Sequence, residues 1–258
     1  MRPKPFSRQR RSLPLADSLP QAVSSRFIQL VCIFAFFSIL LWIAIPGFSE
    51  EETDTYSPRL IQGWNVYIND QLLSVDHELG ERALELLRTQ LYAINRAIPP
   101  KALEKLHTVK IWIDRENPLF PGCVYHPSAD WLRDHGIDPQ KAQSVHIANA
   151  THFLDWSLDQ PAMVLHEMAH AYHHQVLGYD YPEIQNAFHH AVESQSYESV
   201  LYCRGDKQRA YAMNNDQEYF AELSEAYFSV NDFYPFVRAE IQHHDPEMFE
   251  VLRKCWGE

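Results

Sequence analysis

At 258 residues, 46% of them hydrophobic, the chain has enough apolar material for one sizeable core and barely enough for two small ones, so one domain is expected. The net charge of −12 is unevenly spread: residues 1–26 carry Arg2, Lys4, Arg8, Arg10, Arg11 and Arg26 against Asp17, a local balance of +5, which leaves −17 for the rest. A body this acidic lacks the basic footprint that nucleic-acid backbones require, which sets nucleic acid aside as a partner.

After the basic tail, residues 27–45 read FIQLVCIFAFFSILLWIAI, nineteen residues without a charge and with only Gln29 and Ser38 as polar interruptions. That length can span a bilayer. Basic residues precede it and SEEETD follows, so the positive-inside rule predicts a cytoplasmic amino terminus and a single-pass protein whose remainder lies outside the cytoplasm. A cleaved signal peptide, whose apolar region usually runs about 7–15 residues, is the alternative, with Gly47 and Ser49 small enough for processing and a secreted or periplasmic product. Both readings export the body. Cys123, Cys203 and Cys255 then lie outside, an odd number that permits one disulfide whose pairing the sequence leaves open.

Residues 46–63, with Pro46, Pro58, Gly63 and a run of acids, read as a linker, and the domain proper is placed at 64–258. WNVYIN (64–69) alternates like a strand. The spacing of Leu79, Ala83, Leu86, Leu87, Tyr92 and Ile94 predicts an amphipathic helix over 78–97, stopped by Pro99-Pro100. TVKIWID (108–114) and SVHIANA (144–150) read as two further strands, with a Pro/Gly-punctuated loop between them. From Pro161 the pattern is helical, with helices expected near 161–177, 183–203, 215–229 and 235–254 and no convincing strand. Strands first and helices later predict an α+β domain.

The chemistry concentrates in LHEMAHAYHH (165–174), where His166, Glu167 and His170 form H-E-x-x-H. On a helix the two histidines stand about 40° apart round the axis and roughly 6 Å apart along it, so both imidazoles reach one Zn²⁺. Zinc lowers the pKa of a bound water towards 7, and Glu167, on the neighbouring face, can take that water's proton and return it to the leaving amine. The plain alternative is a solvated histidine-rich face. His173 and His174 lie roughly 10 Å or more along the axis from His166, too far to join the same ion. The metzincin pattern needs Gly and His where this chain has His173 and Val176, which excludes that branch. A third ligand must come from elsewhere: Glu193, or the cluster Glu218, Glu222 and Glu225, spaced at i, i+4 and i+7 on one helical face.

LHEMAHAYHH followed by RAYAMNNDQEYFAELSEAYF resembles the catalytic core of the lethal-factor-like zinc metallopeptidases, a gluzincin group, over Pro161 to Phe228. The resemblance implies a zincin-like domain with a small twisted sheet and a helical carboxy-terminal part. It implies Glu218 as the third zinc ligand beside His166 and His170, Glu222 as the carboxylate supporting the site from behind, and Tyr211 as hydrogen-bond donor to the developing oxyanion. It also implies an edge strand against which an extended peptide lies, for which SVHIANA is the candidate unless that strand is an inner one. The expected function is an exported zinc endopeptidase acting on a peptide or protein substrate. A non-catalytic zinc-binding module and a metal-free interaction domain remain open beside it.

Overall fold

The computed structural model describes residues 54–257. The basic tail, the apolar segment 27–45 and residues 46–53 of the expected linker lie outside them. Among the described residues no helix is long and apolar enough to cross a membrane.

The first hairpin joins β1 (Tyr56–Ile61) to β2 (Trp64–Asn69), antiparallel with Ile61 opposite Trp64. Its two-residue loop, Gln62-Gly63, holds both φ angles positive, 52° and 101°, the geometry whose twist matches the flanking strands. Residues 56–61, expected in the linker, therefore belong to the sheet. As an outer strand β1 buries little beyond Ile61, so neither its composition nor Pro58 carries a strand signature. Helices α1 (Asp70–Ser74), α2 (His77–Ala97) and α3 (Pro100–Leu106) return the chain to β3 (Ile111–Ile113), parallel to β2. The expected amphipathic helix is α2, with Ala83, Leu84, Leu87, Leu91 and Ile94 on its buried face.

The region expected as loop holds β4 (Cys123–His126) and α4 (Ala129–Asp134), after which β5 (Ser144–Ile147) runs parallel to β3. Four residues long and boxed by Pro121-Gly122 and Pro127, β4 is masked in the sequence by its own turn signals. The sheet order is β1-β2-β3-β5-β4, with β4 antiparallel to β5. This corrects the expectation for SVHIANA: β5 is an inner strand and β4 is the edge. Val66, Ile68, Ile111, Ile113, Val145 and Ile147 are buried and share the face that the helices cover.

Helices α5 (Ala150–Trp156) and α6 (Met163–Tyr172) follow, the latter continuing through a π-helical turn, His173–Leu177. Helix α7 (Pro182–Ser194) ends earlier than expected because Gln195 adopts φ 56°, a left-handed stop. A two-residue pair, β6 (Val200–Leu201) and β7 (Lys207–Gln208), then interrupts the helical half, where no strand was expected. Helix α8 (Asp216–Phe228) matches its expectation. The last expected helix is two, α9 (Arg238–His244) and α10 (Pro246–Cys255): Pro246 cannot continue α9 but suits the first turn of α10, which Asp245 caps. The architecture is α+β, a small mixed sheet followed by a helical part. Cys123, Cys203 and Cys255 are all free thiols.

The sheet's other face carries a buried polar belt. Asp114 accepts from Tyr56 OH on one oxygen and from Lys141 Nζ and His146 Nε2 on the other, each at 2.7 Å. With His146 Nε2 so engaged, its Nδ1 accepts from His126 Nε2 at 3.1 Å. Burial would raise the Asp114 carboxyl, but His146 and Lys141 outweigh it and hold it at about 2. Burial pushes His126 down to about 3, helped by His146 and Lys141 against Asp114, and burial lowers His146 as well. An unfolded histidine titrates near 6.5. Between that value and about 3 the unfolded chain binds the extra proton, so stability present above pH 6.5 is lost as the pH falls towards 3. Urea unfolding at pH 7.5 and pH 4.5 should show a lower midpoint at pH 4.5, with a smaller difference in His126→Gln, which has no proton to gain; equal differences in the two proteins would contradict the assignment.

Candidate metal centre

All ten residues of α6 are buried, its Met, Val, Leu and Ala positions lying all round the helix. His166, Glu167 and His170 are thereby carried into the interior, at 8%, 8% and 9% exposure, where each polar atom needs a partner. The partners of the histidines come from α8, which packs against α6. The start of α8 is fixed locally: Asn215 Oδ1 accepts the Glu218 N–H at 2.7 Å, capping the helix and holding Glu218 in its first turn. The turn before it, Tyr211–Asn214, brings Tyr211 OH to 3.1 Å from Glu218 Oε1.

His166 Nε2 lies 3.1 Å from His170 Nε2 and 3.1 Å from Glu218 Oε2, and His170 Nε2 lies 3.4 Å from the same oxygen. Ligand atoms bound tetrahedrally at about 2.0–2.1 Å stand roughly 3.3 Å apart, so the three atoms already trace a face of a zinc coordination polyhedron. The donor chemistry agrees. His166 Nδ1 sits 2.7 Å from Glu225 Oε1, so its proton is donated there and Nε2 presents a lone pair towards the centre. Burial would lower His166, but Glu218 and Glu225 outweigh it and hold it well above the ordinary range. Burial would raise Glu218, but His166 and His170 hold it well below. Both shifts arise from the same close pairing of imidazoles and carboxylates.

Glu167 lies beside the three converging atoms but takes no part in their contacts. Its Oε2 accepts the Tyr125 N–H of β4 at 2.7 Å, and burial pushes its carboxyl up against the pull of His166 and His170. One oxygen is thus fixed at the sheet edge.

The structure brings together His166, His170, Glu218, Glu167 and Tyr211. It does not bring in Glu193, exposed on α7. Glu222 is fully buried with its Oε1 3.9 Å from His166 Nδ1, and Glu225 Oε1 lies nearer to that nitrogen, at 2.7 Å. An imidazole contacted at both nitrogens separates its two carboxylate partners by its own width plus two contacts, which two helical turns, about 10 Å, span better than one. His166, Glu222 and Glu225 could also group round a cation, but the Nδ1 proton held by Glu225 makes that set a support for His166 rather than a second centre. His173 is packed between Phe220 and Tyr179, remote from the three ligand atoms by the spacing argument, and His174 Nδ1 lies 2.8 Å from Tyr125 OH. Sequence reading missed Tyr125, because β4 itself was unread. It saw Glu225 only as a member of the acidic face.

Compared with protein-family models, curated proteins and solved structures, the chain gives no match.

If Glu225 orients His166, Glu225→Gln should bind zinc about 10–100-fold more weakly than wild type, while Glu193→Ala binds equally well. Competitive titration against a chromophoric chelator measures both, and unaltered affinity in Glu225→Gln would remove its role.

Proposed function

We propose that the protein is a zinc-dependent endopeptidase of the gluzincin kind on a zincin-like scaffold. The observation that carries the reading is the convergence of His166 Nε2, His170 Nε2 and Glu218 Oε2 within 3.4 Å of one another, with a buried carboxylate beside them. His166, His170 and Glu218 would hold the ion. Zinc bound by three protein ligands supplies Lewis acidity to a water molecule and to a carbonyl oxygen.

The chain's own groups do the rest. Glu167, anchored through Oε2, accepts the water's proton on Oε1 and delivers it to the departing amine; the upward shift that burial gives it favours that exchange of roles. Tyr211 turns its hydroxyl from Glu218 Oε1 towards the carbonyl oxygen as negative charge grows there, a contribution of about 3 kcal/mol for donors of this kind. Glu225 keeps His166 in the tautomer that faces the centre. The apolar segment 27–45 would deliver the domain to the far side of a membrane, anchored or released.

The full-length Glu167→Gln protein should keep its zinc and fold while its hydrolysis of a fluorogenic peptide library falls by about 10²–10⁴-fold, since an amide cannot take the proton. Hydrolysis close to the wild-type rate would remove the mechanism, and zinc-dependent folding without any hydrolysis in wild type would favour a structural zinc module. Tyr211→Phe should lower kcat far more than it raises KM, because the hydroxyl acts only as charge develops; an unchanged kcat would reduce Tyr211 to a packing residue.

A further inference from the structure

The edge strand that meets Glu167 is short. Ala148 N donates to Gly122 O, so the alternation of an antiparallel ladder makes Gly122–Ala148, Val124–His146 and His126–Ser144 the hydrogen-bonded pairs. Cys123 and Tyr125 consequently turn their N–H groups away from the sheet, and it is the outward Tyr125 N–H that reaches Glu167 Oε2. Tyr125 also joins β4 to the segment after α6, where its hydroxyl contacts His174 Nδ1 at 2.8 Å and accepts from Gln175 Nε2 at 3.0 Å. A four-residue outer strand between prolines has little ladder of its own and opens readily unless something else holds it.

What holds it is the buried belt. His126, the last residue of β4, donates to His146 on β5; His146 donates to Asp114 at the end of β3; and Asp114 accepts from Lys141 and, across the sheet, from Tyr56 on β1. His126, His146, Lys141 and Asp114 are each at most 3% exposed. The ring of Phe120 stands edge-on to His126, 5.1 Å away, and Trp112 and Tyr56 lie beneath the Lys141 ammonium. In so dry a setting each hydrogen bond is costly to lose, because the partner left behind is buried. Nothing in the proposed catalytic steps uses these groups, yet one end of their chain is a single residue from the backbone N–H that fixes Glu167.

We propose that His126, His146 and Asp114 are positioning residues for the general base: the belt fastens β4 to the sheet in the register that presents the Tyr125 N–H to Glu167, so the edge strand and the base are set as one unit. The role as base rests on the endopeptidase reading, whereas the fastening of β4 does not. Removing the link at His126 should loosen β4 and let the Glu167 carboxylate turn, while His166, His170 and Glu218 stay in place.

The experiment compares full-length wild type, His126→Phe, which keeps an aromatic ring but cannot donate, and His126→Gln, whose amide can still donate to His146. Hydrogen exchange at the Tyr125 amide is read together with zinc affinity and peptide-library kinetics. In His126→Phe the Tyr125 amide should exchange about tenfold faster or more, kcat should fall by about 10–100-fold with KM within about twofold, and zinc affinity should hold. His126→Gln should recover most of both losses. Wild-type exchange in His126→Phe overturns the proposal, as does faster exchange with an unchanged kcat. Should wild type hydrolyse no peptide, the endopeptidase reading fails by itself, and exchange at Tyr125 still decides whether the belt holds the strand. If His126→Phe does not fold, His126→Leu, smaller and equally unable to donate, takes its place.

Discussion

Two imidazole nitrogens and a carboxylate oxygen stand within 3.4 Å of one another where little water reaches, and that crowding of lone pairs needs protons or a cation among them. Protons on the histidines can meet the need, and a divalent cation meets it with geometry as well as charge, since the spacing already suits bonds of about 2.0–2.1 Å. Everything nearby serves the same requirement. The burial of α6 on every side removes water from the histidines, Asn215 caps α8 so that Glu218 starts its first turn facing them, and Glu225 accepts from the Nδ1–H of His166 and leaves its other nitrogen free to face the centre. Glu167 escapes the crowd by turning to the sheet edge, where a backbone N–H satisfies one of its oxygens.

The sheet is therefore more than a platform for helices. One face buries Val66, Ile68, Ile111, Ile113, Val145 and Ile147 under the helical layer, while the other carries hydrogen bonds from Tyr56 on β1 to His126 on β4. Strand β4 is where the two meet, tied to β5 on one side and to Glu167, His174 and Gln175 on the other. A buried charge at Asp114 is a costly way to stabilise a sheet, for which apolar residues of similar volume often serve better. Its use here has a rationale if strand register, and not stability alone, is what matters.

The helical half was the more legible part of the sequence, because helix periodicity and the H-E-x-x-H spacing both reflect local geometry that α6 and α8 keep. Tyr211, named only through the resemblance, has its hydroxyl beside the Glu218 carboxylate. The unread parts have physical causes. Strands β1 and β4 are outer strands that bury little or are too short for a pattern, so Pro58, Pro121 and Pro127 spoke louder than their pairing. With β4 unread, β5 was offered as the edge and Tyr125 had no place near the site. The contact of Glu225 with His166 could not be read from spacing alone, because it depends on how far α8 reaches past an imidazole contacted at both nitrogens. The belt joins residues up to 58 positions apart, and no local signal records it.

The proposed zinc ion would sit where the three lone pairs converge. X-ray absorption at the zinc edge, on the full-length protein loaded with one equivalent of zinc, tests this most directly when wild type and Glu218→Ala are compared. The account predicts, in wild type, a four-coordinate ion with two imidazole nitrogens and oxygen ligands at about 2.0–2.1 Å and no sulfur, and a signature lost or replaced by weakly held zinc in Glu218→Ala. A sulfur ligand in wild type, or an identical zinc environment in the two proteins, would contradict it.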